Sequence, residues 1–270
     1  MDVKDERFEF GDNWQRFLKT LTEEKIAIAQ ESICELFSAD SLAGKTFLDI
    51  GSGSGLFSLA AMRLGARKVH SFDYDPKSVA CTRMLKERYF PDTDTWVIEQ
   101  GSALDEGYMA SLGKWDIVYS WGVLHHTGDM WQALENAGHK VVPGGWLCTA
   151  IYNDQGVTSR RWTKAKRTYN QLPPALRFLV LYPAFVNLWG INFLLDLRHG
   201  RPFHSWKTYQ SARGMSPWED VIDWVGGYPF EVAQPEEIFH FYRRKGYVLQ
   251  KLKTCGGGKG CNEFVFRLDE

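Results

Sequence analysis

The sequence predicts an α/β fold, a mostly parallel sheet covered by helices on both faces. Three observations carry that prediction. From about residue 44 to 152, short apolar runs alternate with stretches of helical spacing, and such βαβ alternation places parallel strands beneath crossover helices. The first run, Phe47-Leu48-Asp49-Ile50, ends in the glycine turn Gly51-Ser52-Gly53-Ser54-Gly55, which opens directly into a helical pattern. The composition, 44% hydrophobic and 24% charged over 270 residues, is that of a chain with a packed core.

Taken in order, residues 1–43 form an N-terminal helical cap. Phe8, Phe10, Trp14, Phe17, Leu18 and Leu21 make one apolar stripe, and Ile26, Ile28, Ile33, Leu36 and Phe37 a second. Strands are expected at 48–50, 69–72, 95–99, 117–120 and 146–151, with helices near 55–64, 76–89, 106–112 and 129–140. Asp75 before Pro76 is a helix start, the carboxylate capping and the proline at the first helical position. The alternation stops after Tyr152. Residues 155–228 hold a basic run, "RRWTKAKR", then the apolar "FLVLYPAFVNLWGINFLL", then a segment rich in Trp, Gly and Pro. Order resumes with a helix opened by Pro235 and closed by Gly246, followed by strands at 247–252 and 263–267. The turn Gly256-Gly257-Gly258 makes these last strands antiparallel neighbours. The domain reading is therefore a cap at 1–43, a core at 44–154 and 229–270, and an insertion at 155–228 that forms a substrate cap.

The bulk numbers exclude several classes. A net charge of −1 and a pI near 6.7 leave no nucleic-acid surface spread over the chain. Five widely spaced cysteines fit a reducing compartment rather than a disulfide framework. Cys255 and Cys261 flank the glycine hairpin, but too few ligands converge there for a metal site, so plain thiols and no metal are expected. A charged N-terminus is unlike a secretory signal, which points to the cytoplasm. Aromatic residues at 14% suit a deep pocket, an apolar interface or an aromatic-rich core.

The glycine turn asks which ligand it holds. The dinucleotide fingerprint is G-x-G-x-x-G. Here the spacing is G-x-G-x-G, and Leu56 stands where the third fingerprint glycine belongs. Asp49 before the turn suits a ligand with a positively charged end. Asp73 closes the next strand about twenty residues on, where a carboxylate accepts ribose hydroxyls. A further turn, Gly101-Ser102-Ala103, follows the third strand, at the adenine edge. These features point to S-adenosylmethionine, with product S-adenosylhomocysteine.

On the motifs "FLDIGSGSG", "VHSFDYDP", "EQGSALD", "WDIVYSWGVLHHTGD" and "VVPGGWL", in that order over residues 44–152, the chain resembles class I S-adenosylmethionine-dependent methyltransferases. It is similar to the group containing the ubiquinone-biosynthesis O-methylases. The resemblance implies a Rossmann-like seven-stranded sheet of order 3-2-1-4-5-7-6, the seventh strand antiparallel, with a helical insertion between strands 5 and 6. It places the sulfonium methyl at the carboxyl ends of strands 1 and 4. Cofactor candidates are Asp49, Gly51, Ser52, Gly53, Gly55, Asp73, Tyr74, Ser102, Ala103, Trp121 and Trp14. Many relatives carry an acidic residue at the Ser102 position, so the hydroxyl of Ser102 or the Ala103 backbone is expected to serve instead. Trp14 and Phe10 either close over the cofactor as a lid or belong to an amphipathic helix packed on the sheet.

His125 and His126 are candidate general bases, or residues that only pack against the cofactor. Tyr152, Tyr209, Trp218, Trp224 and Tyr228 are substrate candidates. The implied reaction is methylation of a hydroxyl or amine on a small-molecule or lipid-linked acceptor. A cofactor-binding module without turnover and a nicotinamide-dependent oxidoreductase stay open as rivals. The apolar stretch 178–195 reads either as capping helices or a homodimer surface, or as a surface that makes peripheral contact with a membrane.

Overall fold

The structure, a computed structural model, describes residues 10–213 and 217–270; Phe8, first in the N-terminal stripe, lies outside the described residues. Two compact units are present. One comprises residues 10–155 and 231–270, the other Gly156–Phe230.

The first unit opens with α1 (Gly11–Lys19) and α2 (Glu23–Phe37), then β1 (Thr46–Ile50), α3 (Leu56–Arg63), β2 (Lys68–Asp73), α4 (Pro76–Tyr89) and β3 (Trp96–Gln100). It continues through α5 (Glu106–Ser111), β4 (Trp115–Trp121), α6 (Met130–Gly138) and β5 (Val141–Tyr152). Short polar side chains start these helices by accepting a free backbone N–H: Thr22 for α2, Asp75 for α4, Asp105 for α5 and Asp129 for α6. β5 begins earlier than the apolar run suggests. Its first residues follow a shifted register opposite Trp115–Ile117, and Gly144 takes a φ of 72° there.

The chain then builds the second unit from α7 (Val157–Gln171), a 3-10 turn (Pro174–Leu176), α8 (Phe178–Arg198), α9 (His204–Arg213) and α10 (Pro217–Gly226). It returns to the first unit with α11 (Pro235–Arg243), β6 (Tyr247–Lys253) and β7 (Cys261–Leu268). The sheet order is β3-β2-β1-β4-β5-β7-β6, with β7 antiparallel to both neighbours. This is the seven-stranded α/β fold that the sequence predicts.

Both faces of the sheet are buried. Leu48, Ile50, Phe72, Val118 and Leu147 pack with Leu134 of α6 and Ile238 and Tyr242 of α11. Phe47, Val69, Ile117, Tyr119 and Cys148 pack with Ile26 and Ile33 of α2 and Leu59 of α3. The central strands read as unbroken apolar runs because neither face meets water. Because β1, β2, β4 and β5 run parallel, their carboxyl ends share one edge. Asp73, Trp121 and Tyr152 close three of those strands there, and the turn at Gly51 follows the fourth.

The helical unit has its own core, in which Trp162, Tyr169, Ala184, Trp189, Val221, Val225 and Phe230 are buried. Lys166 of α7 lies fully inside it. Its ammonium donates to the Trp224 carbonyl and sits 4.3 Å from the Trp224 ring centroid and 4.6 Å from that of Phe230. Burial pushes its pKa from 10.5 down to about 7.

Between those two values the unfolded chain binds a proton that the folded unit does not, so stability of this unit rises with pH. Lys166→Met removes that group. Hydrogen exchange of the α7 amides is expected to slow from about pH 7 to 10 in the native chain, after correction for intrinsic exchange, and to stay level in the variant. Equal slopes in the two proteins would show that Lys166 is charged in the fold.

Candidate functional site

The turn after β1 is a tight backbone structure. Gly51, Gly53 and Gly55 have φ of 77°, 54° and 80°, a region closed to most side chains. Space is equally restricted. A Cβ on Gly51 would lie 2.3 Å from a Val123 methyl, and one on Gly55 2.8 Å from the Thr82 backbone. The Gly51 and Ser52 N–H groups donate to the Phe72 carbonyl, at 2.8 and 3.1 Å, so the turn is laced to the end of β2. Ser52 Oγ lies 3.0 Å from Thr82 Oγ1 of α4.

Asp73 organises this edge. One carboxylate oxygen accepts the Gly53 N–H at 2.9 Å, and the other accepts the Asp75 N–H at 2.9 Å. Burial, with the neighbouring Asp75 charge, pushes its pKa up to about 6, against backbone hydrogen bonds from Asp75, Gly53 and Tyr74, which lower it. Tyr74, beside it, is exposed, and its carbonyl accepts from Gln100 Nε2. The N-terminal segment seats on the same edge. Asp75 accepts the Gly11 N–H at 2.8 Å, which holds the start of α1 against α4. One turn later the Trp14 indole covers the glycine turn, its ring atoms 3.0 Å from where a Gly53 Cβ would stand.

Asp49 faces the other way, into the sheet's α2/α3 side. It pairs in register with Ser71 of β2 and Tyr119 of β4. Its carboxylate accepts Ser58 Oγ–H at 2.5 Å. Ser58 Oγ lies 2.7 Å from Ser71 Oγ, which in turn accepts the Trp96 indole N–H at 2.8 Å. The result is a buried chain of donors, Trp96 to Ser71 to Ser58 to Asp49, in which each hydroxyl gives one hydrogen bond and takes one. Burial pushes the Asp49 pKa up to about 7; the Ser58 hydrogen bond acts downward and the Asp73 charge upward. Sequence reasoning did not find Ser58, Ser71 or Trp96. A serine inside the otherwise apolar "LFSLAAM" is the one signal that could have done so.

Past β4, a 3-10 turn over Leu124–His126 brings the two histidines to the edge. His125 is fully buried, with its ring centroid 4.1 Å from that of Tyr152. His126 is half-buried and contacts the rings of His125 at 4.5 Å, Phe10 at 5.2 Å and Tyr152 at 5.5 Å. The His125 carbonyl accepts the Glu231 N–H, while the Glu231 carboxylate accepts the N–H groups of Gly128 and Met130 at 3.1 Å each. A residue over a hundred positions away thus fixes this loop. Trp121 is exposed where β4 ends. Around the third strand's turn, Ser102 Oγ accepts the Leu104 N–H at 3.2 Å, and Ala103 is buried with its carbonyl accepting from Asn136 at 2.8 Å.

The remaining substrate candidates belong to the helical unit and do not cluster. Tyr209 meets Trp189 edge-on at 5.1 Å and lines a cavity of about 460 Å³ with Trp189, Asn192, His204, Ser205 and Thr208. Trp218 contacts Phe185 and Tyr182. Trp224 packs with Trp162, Phe230 and Lys166. Tyr228 is half-buried before Pro229.

Comparison with known proteins agrees with this geometry. Residues 48–147 match a family model described as a methyltransferase domain. Among curated relatives, a ribosomal protein L11 methyltransferase of Bacillus velezensis is 30% identical over 105 residues, 37% of this chain and 32% of that protein. The same enzyme of Photobacterium profundum is 43% identical over 58 residues, 21% of this chain and 20% of its own length. The chain therefore spans between a fifth and a third of these relatives. Among solved structures, magnesium protoporphyrin IX methyltransferase of Synechocystis with bound SAH superposes with a TM-score of 0.55 at 13% identity, covering 96% of this chain and 94% of that one. N-methyltransferase NodS of Bradyrhizobium japonicum with S-adenosylhomocysteine gives 0.53 at 13% identity, covering 97% and 100%. At such identities these structures share the fold.

Because burial raises the Asp49 pKa to about 7 from 3.8, the folded state holds a proton that the unfolded chain releases. That contribution to stability is complete below about pH 4 and is lost as pH rises through about 7. Asp49→Asn keeps an acceptor for Ser58 and removes the titration. Urea midpoints of the native chain are expected to fall more steeply than those of the variant over this window. Parallel curves would mean that Asp49 is ionised throughout.

Proposed function

We propose that this chain, whose residues 48–147 are a class I S-adenosylmethionine-dependent methyltransferase domain, transfers a methyl group to a hydroxyl or amine of a small-molecule or lipid-linked acceptor. The reading rests on one juxtaposition above all: the Asp73-anchored glycine turn and the half-buried His126 stand at the same sheet edge. The residues fit the cofactor. Three glycines without room for side chains make a turn that only bare backbone can follow, and the Asp73 carboxylate, an acceptor, stands beside it. Asp73 is assigned to the ribose hydroxyls and Trp14 to the outer wall; Asp49, enclosed on the α2/α3 side with its carboxylate bound by Ser58, is assigned to the charged methionine end through its charge rather than by contact. Bound there, the cofactor supplies a methyl group on a sulfonium leaving group, so alignment and exclusion of water contribute much of the acceleration.

His126 is assigned as the general base that takes the acceptor's proton as its oxygen or nitrogen bonds to the methyl carbon and the carbon–sulfur bond breaks. His125, with no exposed surface, holds Tyr152 and His126 in place. Phe10 and Tyr152 supply flat apolar walls beside the base. Acceptor choice is assigned to the helical unit, because the matched family span ends at residue 147, before that unit begins. An open depression on that unit, lined by Trp189, Tyr209, Asn192, His204 and Thr208, is the candidate contact surface. The curated relatives are named for a protein substrate, and their similarity covers at most 37% of this chain among those compared above.

Calorimetry is expected to show S-adenosylmethionine binding that weakens about tenfold or more in Asp73→Ala, which loses the charge-assisted acceptor. Unchanged affinity in that variant would place the ribose elsewhere. With an acceptor found by screening metabolites for S-adenosylhomocysteine release, His126→Ala is expected to lower turnover by about two to four orders of magnitude while cofactor affinity holds. Near-native turnover would reduce His126 to a packing residue, and cofactor binding without release on any acceptor would make the chain a binding module.

A further inference from the structure

The helix α8 has an unusual solvent face. It runs 21 residues and is apolar and long enough to cross a membrane. Along its length only Ala184, Trp189 and Asp196 are buried, inside the helical unit. Phe178, Leu179, Tyr182, Val186, Ile191 and Leu194 are exposed around the rest of the helix, Val186 65% and Leu194 64%. A helix apolar on all sides is normally enclosed, and large apolar side chains left exposed along a helix about 30 Å long are more than a soluble surface ordinarily shows.

Charge is segregated with it. Residues 156–230 contain ten Lys and Arg against four Asp and Glu, a formal +6, so the rest of the chain carries −7 of the total −1. Arg177 and Arg198 stand at the two ends of α8, and Arg160, Arg161 and Lys164 are exposed on α7. We propose that α8 is a peripheral docking surface for an anionic lipid bilayer, lying in the interface with its apolar face among the acyl chains and these cations among the headgroups. A membrane-spanning orientation is disfavoured because Ala184, Trp189 and Asp196 are buried inside the helical unit, Asp196 accepting from the backbone and hydroxyl of Ser205 at 2.8 and 2.7 Å; spanning would strip these contacts. A second copy of the same face is disfavoured because it would bring together two units that each carry a surplus of positive charge. The inference stands apart from methyl transfer and does not depend on it.

The test is sedimentation of the full chain with vesicles of phosphatidylcholine containing roughly one-third phosphatidylglycerol, at low salt. The chain is expected to pellet with these vesicles, about tenfold less with phosphatidylcholine alone, and to be released by salt. Val186→Glu with Leu194→Glu is expected to lower binding about 100-fold, circular dichroism confirming an unchanged helix content. Arg160→Glu with Arg161→Glu, which leaves α8 untouched, is expected to lower it roughly tenfold or more. A chain that stays in the supernatant with anionic vesicles overturns the proposal, as does undiminished binding in both double variants. Resistance of the bound chain to alkaline carbonate overturns it in favour of a spanning helix. A dimer abolished by the α8 variant, without vesicle binding, overturns it in favour of a second copy.

Discussion

The hydrogen bond from the Gly53 N–H to the Asp73 carboxylate is the constraint around which the first unit is arranged. It ties the exit of β1 to the exit of β2 at the point where the backbone turns from strand to helix with φ above zero at three positions. The preceding residue of β2, Phe72, binds the turn twice more, its carbonyl accepting the Gly51 and Ser52 N–H groups. A turn held this closely has no volume for side chains, and that is why glycine recurs at every second position. Two residues on, Asp75 extends the arrangement by capping α4 and receiving the start of α1. The Trp14 indole is thereby delivered onto Gly53, so the N-terminal segment covers the glycine turn.

The two faces of the sheet serve different ends. The α6/α11 side is filled by apolar residues throughout its centre. The α2/α3 side carries a polar row, Ser71, Asp49, Tyr119 and Cys148, in register across four strands. Buried polar groups are costly unless paired, and the Trp96–Ser71–Ser58–Asp49 chain satisfies one half of that row. Asp49 is thereby held at one fixed position with a pKa about 7, poised where a nearby positive charge would favour its ionised form.

The helical unit answers to other demands. Its interior tolerates a buried lysine because two aromatic faces and a carbonyl surround the ammonium. Its outside combines exposed aliphatic side chains with a surplus of positive charge, a pairing that suits neither a soluble surface nor an oligomer core.

The alternation of strands and helices, the glycine turn, Asp73 and the kinship of residues 48–147 were legible in the sequence, because each is encoded by spacing within a few residues or by a short motif. Caps such as Asp75 before Pro76 were legible for the same reason. What the sequence could not disclose is every contact made between residues far apart in the chain. Val123 fills the space beside Gly51, and Glu231 fixes the loop of His125 and His126. Ser58 meets Ser71 and Asp49, and Lys166 turns inward although it lies in a run of exposed basic residues. The burial of His125 beside the accessibility of His126 is of this kind, since two adjacent, identical side chains are distinguished only by what folds against them. So is the outward face of α8: its apolar sequence marks a helix that must be covered, and only the packing of its neighbours decides which side remains open.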